Sequence, residues 1–389
     1  MKKKLIFITE ALWVGGIEAA LVNLLNRLDY DKYEVTCLII RDERTIANRI
    51  NSKCRLLTAD RERVVSFSEP YRYARLFHLT QPASHLSRLH RLMQWTIPVL
   101  KWMENLLYIR YIRKQMKAEQ FDTAVIYSDR TAEIAVRAIR ADKYLMYYHH
   151  GAMRHSYHDE IGYKKSEKII AVSDKIAEDL RSFRPQYRDK IVMINNLVDA
   201  SDVRRRSQDV PKTTFPTDAF NLVTCGRISP EKGMDLAAEA CAVLLRKGLR
   251  DLHWWIVGGG PAEPVLRAQL QHLKLEDHFH LLGMQSNPYP YLRMADIYVQ
   301  PSRFEGHSVT ILEARVLAKP IVATHAAARE QLTNGLDGLL CESTPEAIAA
   351  AILSLYDDAA LRACFSASLA QLNFEETNHV ELCKLEKMF

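Results

Sequence analysis

Short, continuous apolar runs recur along the chain, each followed by a polar turn and then a longer stretch with apolar residues at helical spacing. Leu5–Thr9, Tyr33–Ile40, Phe121–Tyr127, Tyr144–Tyr148 and Lys168–Ser173 form a first series, which the stretch from Ile191 to Asp199 closes. Residues 200–218 are polar, carry Pro211 and Pro216, and read as a linker. A second series then begins, with Phe220–Cys225, Leu252–Val257, Phe279–Leu282, Ile297–Val299 and Ile321–Thr324. Strand-then-helix alternation of this kind predicts an α/β chain built on two parallel sheets. The expected boundaries are residues 1–200, 201–365 and a helical tail over 366–389.

The stretch from Ile297 to Thr324 carries the densest chemistry. It reads as strand, Pro-Ser turn, Glu-Gly-His-Ser loop, buried helix from Val309 to Leu317, and a second strand after Lys319-Pro320, one right-handed crossover unit. Ser308 is an N-cap candidate. Unpaired backbone amides at His307, Ser308 and Val309 would then face a phosphate at the positive end of the helix. Glu305 and Glu313 flank that point.

Other strand exits add groups that suit an anionic ligand. Gly15-Gly16 opens the first helix and permits close backbone approach, yet lacks the third glycine of a dinucleotide fingerprint. Arg227 and Lys232 lie five apart across a Pro-Glu turn, after Gly226, where two cations can converge on a diphosphate. Gly258-Gly259-Gly260 follows a third strand, and Gly283-Met284 a fourth. Ser128-Asp129-Arg130 and His149-His150-Gly151 close two strands of the first series. Adjacent histidines on extended backbone diverge, so no metal set is expected among His149, His150, His155 and His158.

Glu305 and Glu313, separated by seven residues in an E-G-x-x-x-x-x-x-E-A body, resemble the paired-glutamate motif of the family-four retaining, nucleotide-sugar-dependent glycosyltransferases of the GT-B fold. The resemblance implies two Rossmann-like domains facing a cleft, with the final helix crossing back to the first domain. It also implies roles. Glu305 would contact the donor sugar and Glu313 the ribose, while Gly306, His307, Ser308 and Val309 would hold the diphosphate together with Arg227 and Lys232. Gly15, Gly16, Gly226, Gly258 and Met284 would line the donor site, Glu330 would cap its wall, and His150 would stand near the reacting sugar. Glu305, Arg227, Lys232 and His150 form the expected catalytic set. No cofactor or metal is expected beyond the nucleotide diphosphate sugar.

Composition narrows the field further. Hydrophobic residues make up 48% of 389 positions and charged residues 26%, a globular balance. The seven scattered cysteines include no C-x-x-C pair and suggest a reducing compartment. The apolar run after Lys4 stops at Glu10, too short for a signal peptide. Charge is uneven: residues 61–117 hold eleven Lys or Arg against Glu62, Glu69 and Glu104, a net +8 within a chain of net +6. Trp95, Trp102, Tyr108 and many aliphatics interleave with those cations. That mixture predicts contact with an anionic membrane surface at the inner face of the cytoplasmic membrane. Nucleic acid is not an expected partner, because the pattern offers neither a groove-reading helix nor a stacking platform. The expected acceptor is a glycan or a polyprenyl-diphosphate-linked sugar. A non-catalytic nucleotide-sugar binder and a nucleotide-sugar epimerase of the same fold stand as alternatives.

Overall fold

The strands expected from the apolar runs form two sheets whose order the sequence does not reveal. The structure, a computed structural model, describes residues 1–60, 102–117, 119–151, 153 and 157–389. Most of the basic aromatic segment, residues 61–101, lies outside them. Among the described residues the first sheet has seven strands: β1 (Lys3–Thr9), β2 (Tyr33–Ile39), β3 (Arg55–Thr58), β4 (Gln120–Ile126), β5 (Arg140–Tyr148), β6 (Lys168–Ala171) and β7 (Ile191–Met193). They pair in the order β3-β2-β1-β4-β5-β6-β7, all parallel. The second sheet contains β8 (Phe220–Cys225), β9 (Leu252–Val257), β10 (Phe279–Leu281), β11 (Ile297–Gln300), β12 (Ile321–Thr324) and β13 (Leu339–Cys341), in the order β10-β9-β8-β11-β12-β13 and again parallel.

Strand order reverses between β1 and β4 in the first sheet and between β8 and β11 in the second. Helices leave those neighbouring strands toward opposite faces, and a crevice opens beyond their carboxyl ends. The segments that exit there are Gly15-Gly16 after β1, Asp129 after β4, Arg227 to Lys232 after β8, and Glu305 to Ser308 after β11.

β1, β4, β8 and β11 are almost wholly buried, which fits continuous apolar runs covered by helices on both sides. Residues 200–206 depart from the linker expectation. Asp199 caps a helix, Ala200–Arg206, by accepting the amide of Asp202, and Val203 joins Tyr289, Leu312, Val316 and Phe374 in an apolar cluster. Arg204 and Arg205 stay exposed, while the Arg206 guanidinium lies over the Tyr289 ring at 5.0 Å, beside the packed face. At the other end of the chain, the Ala359–Ala370 helix buries Phe365 in the second domain's core. The Phe374–Glu386 helix returns to the first, where Leu385 and Phe389 enter the core and Phe389 meets the rings of Phe7 and Tyr33 edge-on. Asn378 fastens this crossing by donating to the Val198 carbonyl at 2.7 Å and accepting its amide at 3.1 Å.

Candidate active site

Between β8 and the helix Met234–Arg246 the chain makes a short turn over Pro230–Lys232 and passes Gly233 at φ 66°. A β-carbon at Gly233 would lie 2.1 Å from the Pro301 carbonyl, so only glycine allows this turn to press against the exit of β11. The consequence is an ion pair. The Lys232 ammonium donates to both oxygens of Glu305 at 2.7 Å, and Ser302 Oγ (2.7 Å) and Gln300 Nε2 (3.0 Å) donate to Oε1 of the same carboxylate. The Glu305 side chain is 9% exposed and that of Lys232 26%.

Ser308 caps the helix Val309–Val316 by accepting the Ile311 amide at 3.4 Å. One expectation fails here. The Ser308 amide is not open to a ligand: it donates to Gln331 Oε1 at 2.8 Å, while Gln331 Nε2 donates back to the Ser308 carbonyl at 2.9 Å. A buried primary amide presents an acceptor and a donor together, and Gln331 uses both on the backbone N–H and C=O of one residue. The amides of His307, Val309 and Thr310, on either side of Ser308, have no acceptor among the described residues, so unpaired donors remain at the helix start. Gly16 of the first domain faces this point, its β-carbon position 3.9 Å from Val309 Cβ. The His307 ring is buried, its pKa driven down to about 3 by desolvation and then by Arg315. The His307 carbonyl accepts from Asn196 Nδ2 at 2.9 Å.

Glu313 sits apart from Glu305, in the second turn and 4% exposed. It accepts the Tyr289 hydroxyl at 2.9 Å. Burial pushes its pKa up to about 7 against the opposing effects of Tyr289, Arg49 and Arg206. Arg49, from the first domain, donates to the same Tyr289 oxygen at 3.2 Å. Arg227 is exposed at the β8 exit, with the carboxyl groups of Glu231 and of Glu18 in the first domain within electrostatic range. The Glu18 carboxyl, buried at the start of the first helix, is likewise raised to about 7 by desolvation. Gly15 makes room for it, since a β-carbon there would be 2.3 Å from Glu18 Oε2. Gly226, Gly258 and Met284 gather beside the β8 and β9 exits. A β-carbon on Gly258 (φ 152°) would be 1.9 Å from the Gly226 carbonyl, and one on Gly259 would be 3.3 Å from Met284 Cγ, a side chain left 56% exposed.

The first domain closes over this surface through its β5 exit. The β-carbon position of Gly151 is 3.0 Å from the Glu305 backbone, and that of Gly306 is 2.6 Å from the His149 carbonyl. The two histidines have separate environments. His149 is buried between the rings of Tyr127 (4.7 Å) and Tyr147 (5.4 Å), and desolvation lowers its pKa to about 3. His150 is partly exposed and its Nε2 lies 3.2 Å from Asp129 Oδ1. Another interdomain contact sets Glu330 of the second domain at the start of the Asp174–Phe183 helix of the first, its oxygens accepting the amides of Asp174 (2.8 Å) and Lys175 (2.7 Å).

Sequence reasoning missed Gln331 and Tyr289, which lie 23 and 24 residues from the groups they hold and carry no local signal. Glu18 had one: it stands in the third helical position, in a Gly-Gly-x-Glu run.

Two parallel-sheet domains, of seven and six described strands, that meet at the exits of their strands define a protein of the GT-B fold. Solved structures agree on that fold. Anabaena HepE, determined with UDP and glucose, superposes with a TM-score of 0.70 at 16% identity over 99% of both chains. S. aureus TarM gives a TM-score of 0.75 at 12% identity, also over 99% of both. Residues 14–202 match Glycosyltransferase Family 4 and residues 219–358 match Glycosyl transferases group 1, and the chain belongs to these family-four glycosyltransferases. Curated relatives include the lipopolysaccharide core biosynthesis glycosyltransferase LpsD of Rhizobium meliloti, 29% identical over 54% of this chain and 60% of that protein. Another is a Campylobacter jejuni N-acetylgalactosaminyltransferase named for a diphospho-undecaprenol-linked substrate, 28% identical over 46% of this chain and 48% of that protein. The chain spans about half the length of the curated relatives it matches.

Proposed function

We propose that this protein is a retaining glycosyltransferase that moves a hexose or N-acetylhexosamine from a UDP-linked donor to a glycan or polyprenyl-diphosphate-linked acceptor in cell-surface polysaccharide synthesis. The observation that carries the reading is the Lys232–Glu305 pair set beside the open amides of Val309 and Thr310. Departure of a nucleoside diphosphate leaves negative charge on phosphate and positive charge on the anomeric carbon. Lys232, Arg227 and the helix end are suited to the first, and Glu305, by accepting sugar hydroxyls, to fixing the second in place. In this reading those cations supply the neutralising charge, and the reaction takes no metal. Glu313 and Gly16 would lie along the donor, Glu313 toward the ribose. Retention follows from the family resemblance; HepE, determined with UDP, supports UDP as the carrier, and the C. jejuni enzyme, named for a diphospho-undecaprenol-linked substrate, supports the acceptor class.

Membrane attachment belongs to the same proposal. No described helix is long and apolar enough to cross a membrane. The helix over residues 102–115 exposes Trp102, Met103 and Leu107 along with Arg110, Arg113 and Lys114, a mixture suited to an anionic bilayer surface. Flotation with anionic liposomes tests this, and a protein left wholly in the unbound fraction removes it.

The test of activity is a panel of nucleotide sugars assayed for slow hydrolysis and for thermal stabilisation. UDP-sugars should raise the melting temperature, and Arg227→Ala and Glu305→Gln should lose turnover while staying folded. Unaltered turnover in both variants overturns the assignment, and folded variants with donor binding but no turnover in the parent favour a non-catalytic binder.

A further inference from the structure

The first domain brings to the junction a carboxylate–imidazole pair, Asp129 and His150, that the Lys232–Glu305 pairing leaves unused. β4 and β5 are neighbours, and each ends at the cleft: β4 runs into the turn Asp129–Thr131, and β5 into His149-His150-Gly151. The Asp129 side chain is only 13% exposed, its Oδ1 accepts the Arg130 amide at 2.9 Å, and the same oxygen lies 3.2 Å from His150 Nε2. The Tyr148 ring stands edge-on to the imidazole at 5.7 Å. Thus the carboxylate is anchored by backbone and the ring is held on two sides. Desolvation opposes the charge on Asp129, but the hydrogen bond with His150, together with the Arg130 amide and charge, keeps its pKa below the usual carboxylate value.

We propose that Asp129 is a positioning residue that fixes His150 with its proton on Nε2, leaving the Nδ1 lone pair to accept a hydrogen bond from a sugar hydroxyl in the cleft; this rests on the transferase reading above. The orientation follows from donor and acceptor inventory. An ionised carboxylate only accepts, so the nitrogen facing it must carry hydrogen, and in a neutral ring the other nitrogen is then an acceptor. The ring belongs to the junction where the chemistry is placed, because the next residue, Gly151, packs on the backbone of Glu305. Glu305 and His150 would therefore take hydroxyl protons of one bound sugar from two domains, and only in the closed arrangement. Without Asp129 the neutral ring is free to protonate Nδ1, which meets a hydroxyl hydrogen with another hydrogen.

The experiment uses the full chain labelled with 15N-histidine, the His150 signals being assigned by their loss in His150→Gln. The expected result is the Nε2–H tautomer in the parent and a tautomer mixture in Asp129→Ala. The kcat for hydrolysis of UDP-glucose or UDP-N-acetylglucosamine should fall by up to about a hundredfold in Asp129→Ala with KM changed less than about threefold, and Asp129→Glu should restore part of it. An Nδ1–H tautomer in the parent overturns the proposal, and so does an unchanged kcat in Asp129→Ala. The tautomer measurement needs no turnover, so a chain that hydrolyses no nucleotide sugar would defeat the transferase reading and still leave the pair decided by the spectra.

Discussion

Replacing Glu305 with glutamine changes one charge and almost no volume, and its effects on stability and on nucleotide binding should have opposite signs. In the parent, Glu305 takes two hydrogen bonds from Lys232 and one each from Ser302 and Gln300. Glutamine keeps one acceptor oxygen for Ser302, Gln300 and Lys232 on the Oε1 side and sets its amide where only the Lys232 ammonium points, on the Oε2 side. A hydrogen bond to a charged group contributes about 1.5–3 kcal/mol, and orphaning one member of a buried pair costs about 3–5 kcal/mol. Lys232 is 26% exposed and recovers water when its partner is neutralised, so a net loss of about 2 kcal/mol is expected at neutral pH. At about 2–4 °C per kcal/mol for a domain of this size, the melting temperature should fall by about 4–8 °C. Nucleotide binding should move the other way, because Glu305 competes with a diphosphate for the Lys232 ammonium. UDP affinity should rise by about tenfold, equivalent to about 1.4 kcal/mol. Differential scanning fluorimetry and isothermal calorimetry with UDP read both quantities on one sample. Weakened UDP binding, or an unchanged melting temperature, would refute the reasoning.

Stability against pH provides a second check. Glu18 and Glu313 are raised to about 7 from an ordinary 4.5, so the folded chain binds more protons than the unfolded one between those values and loses stability as pH rises through them. His149 and His307 are lowered to about 3 from 6.5, so stability falls as pH drops through that window. The two slopes oppose each other between pH 4.5 and 6.5, where urea midpoints should be nearly flat, and Glu313→Gln should tilt that plateau upward with pH. A plateau that keeps its slope in the variant contradicts the burial of Glu313. Gly306→Ala places a β-carbon 2.6 Å from the His149 carbonyl and should hold the domains apart, lowering turnover and increasing the small-angle scattering radius of gyration; an unchanged radius argues against the contact. Tyr289→Phe removes the hydrogen bond to buried Glu313 and should cost about 1–2 kcal/mol in chemical denaturation, and a stabilised variant would show that the bond contributes nothing.

Much of this site was legible because it is built from strand exits. A continuous apolar run gives away a covered strand, and the polar residues just after it are at the sheet's carboxyl edge whatever the strand order. That is why Glu305, Lys232, Arg227, Gly15 and His150 could be picked out one by one. The helix at Val309 and its Ser308 cap were equally local, depending on a side chain and an amide three residues apart. Interactions between distant segments were not visible in this way. The engagement of the Ser308 amide by Gln331, the pairing of Lys232 with Glu305, the seating of Glu313 against Tyr289 and the helix hidden in a run of arginines at 200–206 each depend on which surface a side chain meets.

The sequence by itself determined the inventory: two series of parallel strands, the residues at their exits, and a helix start able to hold an anion, all set by periodicity and turn chemistry within a few residues. Tertiary structure decided which exits face one another. The pairing of β4 with β5 brings Asp129 to His150, and the packing of one domain on the other brings Gly16 to Val309 and Gly151 to Glu305. The physical reason is range. Local propensity acts over a turn or two of chain, whereas the burial that fixes strand order and domain closure is summed over segments hundreds of residues apart.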